Sequence, residues 1–272
     1  MPELPEVETV KNTLKLQILN KTISNVEILY NLIDYPELDE FKKNIVNQTI
    51  IDIKRRGKWL MFELNDYYLL SHLRMEGKYH IRNKGDIISK HEHIIFKFSD
   101  DTELRYNDTR KFGKFHLIEK DKAYNVEPLC ELGLEPWDDN LNINYLKAKY
   151  STKKLPIKTV LLDQSIITGI GNIYADEILF LSKINPLKKC SVLNIKELNN
   201  IIKYTKEVLE KAIELGGTTI KSYESSEGVH GKFQNNLLVH NHEGDKCPNC
   251  GTIICKIKVN GRGTYYCENC QK

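Results

Sequence analysis

The chain of 272 residues is 40% hydrophobic and 28% charged, with a formal net charge of +3. These values describe a folded chain of one large or two ordinary domains and exclude wholesale disorder. No apolar run reaches the ~20 residues that span a bilayer, and the acidic N-terminus lacks the basic region of a secretory signal, so a cytoplasmic protein is expected.

A helix is predicted from Glu3 to about Leu19. Pro2 and Pro5 suit its start, Glu3, Glu6 and Glu8 suit its positive end, and Val7, Val10, Leu14 and Ile18 form an apolar stripe. Strand patterns then follow near 22–30, 49–55, 58–65, 68–73, 93–99, 103–107 and 114–118, with alternation as in Leu60, Phe62, Leu64 and in Ile94, Phe96, Phe98. Six to eight short strands suggest a β-sandwich. The stretch 74–92 is polar and basic and is read as a loop. Residues 120–136 carry charges, Pro128, Gly133 and Pro136, the composition of a hinge. Beyond it the period is helical. Asn194 and Glu197 make a capping box ahead of Leu198, Ile201, Ile202, Thr205, Val208, Leu209, Ala212 and Ile213, and Gly216-Gly217 stops that helix. The Ser-, Thr- and Gly-rich stretch 218–236 is read as a long loop.

Basic residues cluster in three places. Lys54, Arg55, Arg56 and Lys58 form one run, and Lys147, Lys149, Lys153, Lys154 and Lys158 form another. The last 26 residues carry Lys256, Lys258, Arg262 and Lys272 against the single acid Glu268. Any one run is an ordinary solvated face; three together point to a phosphate backbone.

Seven cysteines, an odd number without a secretory signal, argue against a disulfide framework. Cys247-Pro-Asn-Cys250 and Cys267-Glu-Asn-Cys270 are two C-x2-C knuckles around an alternating apolar stretch from Ile253 to Val259 and a turn near 260–263. Four thiolates at this spacing predict one structural zinc holding a β-hairpin, with no open position for chemistry. Cys255 is a bystander of that hairpin, and its tip presents Arg262 between two glycines.

The first two residues carry a separate implication. Removal of Met1 would leave Pro2 as a secondary amine with an ordinary pKa of about 8. Such an amine attacks a sugar carbon to give an iminium, an electron sink for elimination chemistry, and Glu3 beside it could move protons. From these residues alone, a proline that merely opens a helix is the preferred reading.

The motifs taken together resolve that choice. Pro2-Glu-Leu-Pro-Glu-Val-Glu-Thr9 closely resembles the N-terminus of the bacterial formamidopyrimidine-DNA glycosylases. The resemblance continues through Arg55-Arg-Gly-Lys-Trp-Leu60, His72-Leu-Arg-Met-Glu-Gly-Lys78, Asn107-Asp-Thr-Arg-Lys-Phe-Gly113, Thr168-Gly-Ile-Gly-Asn-Ile-Tyr-Ala-Asp-Glu177, Gly216-Gly-Thr-Thr219 and the hairpin with Gly261-Arg-Gly-Thr264, in family order along the whole chain.

The resemblance implies an α+β chain. Residues 1–119 would be a β-sandwich catalytic domain with an N-terminal helix and 120–136 a hinge. Residues 137–236 would be a helix–two-turn–helix DNA-binding domain with a lid loop at 218–232, and 237–272 a four-Cys zinc finger. It implies a bifunctional base-excision glycosylase and abasic-site lyase for oxidised purines, namely 8-oxoguanine and formamidopyrimidines, acting as a monomer on double-stranded DNA in a bacterial cytoplasm. In that scheme Pro2 attacks C1′ and Glu3 supplies or relays the proton. Lys58 acts as acid in β-elimination, and Arg262 grips lesion phosphates and assists δ-elimination. Met75, Arg110 and Phe112 would fill the gap left by the flipped base, with Arg110 on the orphaned cytosine. His91, Lys154, Asn172 and Lys158 would contact DNA phosphates, with Asn172 as the N-cap of a helix starting near Ile173, and His72 would add a further backbone contact. Cys247, Cys250, Cys267 and Cys270 would hold the zinc. The remaining histidines, His80, His93, His116, His230, His240 and His242, are read as structural or surface groups.

Two segments depart from the family pattern. The lid sequence 222–232 is only loosely similar, which bears on base preference, and Val239–Gly244 replaces a more usual Tyr-Gly-Arg-type stretch. Two other functions fit parts of the sequence. An endonuclease VIII-like glycosylase for oxidised pyrimidines would more usually begin Pro-Glu-Gly-Pro-Glu, whereas position 4 is Leu. A non-catalytic zinc-ribbon DNA-binding protein would need no free Pro2 amine.

Overall fold

A computed structural model of the chain describes residues 1–218 and 231–272. The lid expected at 218–232 falls almost wholly outside these described residues. The chain divides into two compact units, Met1–Cys130 with Gly216–Gly231, and Glu131–Leu215 with Lys232–Lys272.

The first unit opens with α1 (Leu4–Ile18). Its start is fixed locally: the Glu6 carboxylate reaches back to accept the Glu3 backbone N–H at 2.8 Å, satisfying an orphan donor of the first turn. Val7, Val10, Leu14 and Ile18 are all buried, so the apolar stripe faces the core as its spacing predicts. There follow β1 (Ile23–Ile28), β2 (Ile33–Tyr35), α2 (Leu38–Ile45), β3 (Asp52–Arg56), β4 (Trp59–Glu63), β5 (Tyr67–His72), β6 (Lys78–Asn83), β7 (Glu92–Phe98), β8 (Thr102–Asn107) and β9 (Lys114–Glu119). They form a four-stranded sheet of order β1-β7-β8-β6 and a five-stranded sheet of order β2-β9-β5-β4-β3. All pairings are antiparallel except β2 with β9. Inward residues of both sheets, such as Leu60, Phe62, Ile94, Phe96, Tyr106 and Phe115, join the α1 stripe in one apolar cluster. The predicted sandwich is present.

Three local readings are corrected. The stretch 74–92 contains β6, where Tyr79 is fully buried and Ile81 packs behind it. Its alternation is only two residues deep and lies among basic side chains, too short to show as a period. The pieces β2 and α2 were not predicted at all. The long loop expected at 218–236 ends in a short 3-10 turn, Phe233–Asn236.

The second unit holds α3 (Ile143–Tyr150), α4 (Ile157–Leu161), α5 (Asn172–Ser182), α6 (Ile195–Glu214) and the hairpin β10 (Cys255–Val259) and β11 (Arg262–Tyr266). The α6 capping box forms as expected: Asn194 Oδ1 accepts the Glu197 N–H at 3.0 Å and the Glu197 carboxylate accepts the Asn194 N–H at 2.9 Å. Leu198, Ile201, Thr205, Val208, Leu209 and Ala212 are buried; Ile202 and Ile213 flank the face. A smaller cluster of Phe180, Val239, Ile254 and Tyr265 with Cys247 and Cys267 ties α5 to the hairpin.

Candidate active site and nucleic-acid surface

In the first unit, the start of α1 and the β3–β4 hairpin carry three of the predicted catalytic groups, Pro2, Glu3 and Lys58. Pro2 and Glu3 are buried at the start of α1. Lys58 is buried in the two-residue turn between β3 and β4, where only the first central residue, Gly57, has positive φ (58°), the pattern of a II′ hairpin. The N-terminal amine of Met1 lies below its ordinary value of 8.0. Burial is the main cause and the Lys58 ammonium adds to it, while the carboxylates of Glu3, Glu6 and Glu76 oppose it. One amine, one ammonium and three carboxylates therefore share a single electrostatic environment.

His72 borders this group. Burial, followed by the charges of Arg74, Lys58 and Lys114, pushes its imidazole down to about 3, so the ring is neutral at physiological pH. Nδ1 accepts the Arg74 N–H at 3.0 Å, which places the ring proton on Nε2. Trp59 packs edge-on against the ring at 4.9 Å.

Two loops carry the predicted gap-filling residues. Met75 sits in the loop between β5 and β6, behind Arg74 at φ 53°. Arg110 and Phe112 sit exposed in the loop between β8 and β9, with the guanidinium 4.9 Å from the Phe112 ring centroid. Buried Asp108 organises the second loop: Oδ1 accepts the Arg110 N–H, and Oδ2 accepts those of Phe112 and Gly113, all at 2.9 Å. The Asp108 N–H in turn bonds the His91 carbonyl at 2.9 Å, which places His91 beside this loop. Thr109 donates to the Glu76 carboxylate and links the two loops. The Tyr106 hydroxyl lies between them, so close to Gly77 and Gly113 that a Cβ at either position would overlap it.

In the second unit, Gly169 (φ 97°) and Gly171 turn the chain into α5. The N-cap is Gly171, and Asn172 is the first helical residue, not the cap predicted from the sequence. Its side chain makes a tertiary bond instead: Asn172 Nδ2 donates to the Gly263 carbonyl at 2.9 Å. The hairpin turn is Asn260-Gly261, both at positive φ (50° and 76°), and places exposed Arg262 at the start of β11. Lys154 is exposed.

Lys158, expected at a lesion phosphate, is instead fully buried. Its ammonium donates to Asp176 Oδ1 at 2.5 Å and to the Asn172 carbonyl at 2.8 Å, and Asp176 Oδ2 bonds His240 Nδ1 at 2.7 Å. Next to it, Glu177 accepts the backbone N–H groups of Leu238, Val239 and His240 at 2.8–3.1 Å. Burial raises the Glu177 carboxyl against those bonds. The divergent segment from Val239 is thus fastened to α5.

The four knuckle cysteines have their sulfurs within 4.8 Å of one another, the Cys247–Cys270 and Cys250–Cys267 pairs at 3.8 and 3.5 Å. Sulfurs about 2.3 Å from one tetrahedral ion sit about 3.8 Å apart, so the donor set fits zinc. The hairpin carries one structural zinc site, and Cys255 lies outside it. A separate cavity of about 420 Å³, walled by Asp34, Tyr35, Glu40, His116, Glu119 and Glu127, contains none of the predicted residues. Its acidic wall is unsuited to a phosphate backbone.

Sequence reasoning missed the groups that hold the site: Glu6, Glu76 with Thr109, Asp108, and Asp176 with Glu177. Two left a signal. Glu6 stands three residues after Glu3, the capping-box spacing, and Asp108 opens an Asp-Thr-Arg turn of the kind whose carboxylate bonds its own backbone.

Residues 1–115 match the formamidopyrimidine-DNA glycosylase N-terminal domain, 132–224 the formamidopyrimidine-DNA glycosylase H2TH domain, and 244–272 the zinc finger found in FPG and IleRS. Over 273 aligned residues the chain is 48% identical to the formamidopyrimidine-DNA glycosylase of Oceanobacillus iheyensis, covering 100% of this chain and 98% of the relative. It is 45% identical to that of Bacillus anthracis, covering 100% and 99%. Among solved structures, wild-type Lactococcus lactis Fpg bound to N7-benzyl-Fapy-dG DNA aligns with a TM-score of 0.93 at 40% identity, and the same protein bound to DNA containing an oxidised pyrimidine with a TM-score of 0.92 at 40% identity, each covering 100% of both chains.

Proposed function

The chain belongs to the formamidopyrimidine-DNA glycosylase family, and on that premise we propose that it excises oxidised purines from duplex DNA and then cleaves the strand. Once Met1 is removed, the Pro2 nitrogen attacks C1′ of the lesion nucleotide. The C1′–N bond breaks, and the base leaves with a proton delivered through Glu3. Sugar-ring opening gives a cationic iminium joining Pro2 to C1′. Loss of a C2′ proton expels the 3′ phosphate, with Lys58 as the acid, and a second elimination expels the 5′ phosphate.

The observation that carries this reading is the setting of the N-terminal amine. Around the Met1 amine, burial and Lys58 favour the neutral form, while Glu3, Glu6 and Glu76 oppose it and supply the carboxylates that proton transfer needs; Pro2, the next residue and itself buried, takes up that setting once Met1 is removed. His72, neutral and able to donate only through Nε2, is a hydrogen-bond donor there and not an acid. Base access requires extrusion of the nucleotide, and Met75, Arg110 and Phe112 stand on paired loops suited to filling the gap. Arg262, Lys154, His91 and Asn172 grip phosphates. Arg262 acts as a clamp more than as an acid, because a guanidinium keeps its proton. The zinc folds the hairpin that presents Arg262.

Borohydride trapping on a duplex carrying 8-oxoguanine opposite cytosine tests the reading. A covalent adduct lost in Pro2→Gly supports it. The oxidised-pyrimidine complex of the Lactococcus lactis relative argues for a thymine glycol duplex as a second arm. An adduct there alone would move the substrate class to pyrimidines. No adduct on either duplex or on an abasic site, with an N-terminal mass showing Met1 removed, would leave a non-catalytic DNA-binding protein.

A further inference from the structure

Pro2 and Lys58 come from different elements, and the proposed chemistry depends on their separation. A chain of polar contacts through Glu8 and Arg55 joins those elements. Glu8 lies on α1, six positions after Pro2 and four residues, or about 6 Å of helical rise, beyond the first helical residue Leu4. Its Oε2 accepts Arg55 Nε at 2.8 Å, and Arg55 Nη1 donates to the Gly57 carbonyl at 3.0 Å. Lys11 donates to the other Glu8 oxygen. The Arg55 and Glu8 side chains are 8% and 17% exposed, so water competes little for these bonds. Burial pushes the Glu8 carboxyl up, but its bonds to Lys11 and Arg55 outweigh that and hold it below the usual carboxylate range.

The Gly57 carbonyl belongs to the planar peptide that leads into Lys58. Fixing that oxygen fixes the direction from which the Lys58 side chain departs. Gly57, at positive φ and without a Cβ, is the loosest point of the turn, where such a restraint has most effect. The planar guanidinium bonds the carboxylate through Nε and the carbonyl through Nη1 in one fixed geometry, which an ammonium on a flexible stem does not impose.

We propose that Glu8 and Arg55 form a positioning pair that sets the Lys58 ammonium against the N-terminal amine, and thereby sets the rate of β-elimination. The proposal rests on the roles given above to Pro2 and Lys58. In the unprocessed chain the charges acting most strongly on the Met1 amine, one residue before Pro2, are Glu3, Glu6, Lys58 and Glu76, and neither Glu8 nor Arg55 is among them. A change at Glu8 or Arg55 that alters the amine therefore acts through Lys58.

The test uses the full-length, Met1-processed protein and a duplex with a preformed abasic site. The pH profile of borohydride trapping and the kcat and KM of strand cleavage are compared for Glu8→Gln, Arg55→Met, Arg55→Lys and Lys58→Gln. Lys54→Gln is the control, since that ammonium pairs with Glu63 on the same hairpin. Lys58→Gln moves the profile to higher pH, because a cation that depresses the amine is gone. Glu8→Gln and Arg55→Met move it the same way and lower kcat on the order of 10–100-fold with KM unchanged, the effect expected of a small misplacement. Arg55→Lys keeps the charge but not the fork, and follows Arg55→Met. Should Arg55→Met fail to fold, Glu8→Gln and Arg55→Lys carry the comparison. Folded Glu8 and Arg55 variants with the parent profile and kcat, beside a shifted Lys58→Gln, would overturn the positioning pair alone. A Lys58→Gln that moves neither quantity would overturn the role of Lys58 and the pair with it.

Discussion

Glu6 holds Thr218, 212 positions away in the chain: one carboxylate oxygen accepts the Thr218 backbone N–H at 2.8 Å and its hydroxyl at 3.0 Å. The other oxygen holds the Glu3 N–H. The start of α1 and the strip Gly217–Thr218 are thus joined through a side chain that is 4% exposed. Gly217 is part of the same junction, because a Cβ there would press on the Glu6 carboxylate.

Glu6→Ala leaves buried N–H donors without an acceptor and is expected to cost about 1–3 kcal/mol in chemical denaturation for each donor left unpaired. Glu6→Gln keeps the shape and removes the charge. Because that charge raises the N-terminal amine, its loss lowers the amine further and moves the trapping profile to lower pH, opposite to Lys58→Gln. A profile that stays in place would show that the Glu6 charge does not reach the amine.

Arg110 is expected to read the base opposite the lesion. Arg110→Ala reduces the preference for cytosine by about 1–3 kcal/mol, measured as excision rates with C, T or A opposite 8-oxoguanine. Phe112→Ala lowers all three rates alike, since a ring that fills a gap has no base code. Equal loss on every opposite base in Arg110→Ala would reduce the residue to a phosphate contact.

His72 gives a pH signature. Its folded value of about 3 lies below the unfolded 6.5, so between these values the unfolded chain binds the extra proton. Stability therefore falls as pH drops from 6.5 towards 3, with a slope of up to about 1.4 kcal/mol per pH unit from this group. His72→Gln removes that share of the slope, read from urea midpoints at pH 7, 6 and 5. Parallel curves for the two proteins would show that the ring is not held neutral.

Lys158 and Asp176 are 0% exposed, and removing one of them strands the other. Lys158→Met is expected to cost about 3–5 kcal/mol in denaturant, with the Asp176→Asn change similar in sign. Affinity for undamaged duplex per folded molecule stays at the parent level, because the ammonium faces α5 and His240 and not solvent. A salt slope reduced by one phosphate would restore Lys158 to the DNA surface.

Much of the fold was readable because its periods are long. The α1 stripe recurs over four turns, the α6 face over five, and the zinc ligands are spaced as a closed coordination shell requires. β6 was hidden by brevity, two inward residues among charges. Lys158 was misread for another reason: it stands in a run of lysines, and its partners, the Asn172 carbonyl and Asp176, come 14 and 18 positions later in the chain. Asn172 has a good capping side chain, yet it does not cap, and its Nδ2 donates to the Gly263 carbonyl 91 positions away. The family resemblance proposed the reacting groups, whereas the groups packed around them act through contacts no spacing rule contains.

The Tyr106 ring runs from the two glycine-flanked loops into the middle of the sandwich, where it meets Tyr79 at 5.3 Å and Phe115 at 4.8 Å. Both loops therefore stand on the same solid footing, and Thr109 and Glu76 bind them to each other. Their freedom was surrendered when the domain folded. In the proposed reaction, Met75, Arg110 and Phe112 meet an opened duplex with their backbones already set, so the ordering entropy of two loops does not oppose extrusion of the base. Side chains at those three positions can be exchanged to alter wedge size or base preference without disturbing that footing, whereas any side chain at Gly77 or Gly113 displaces a ring at the centre of the core.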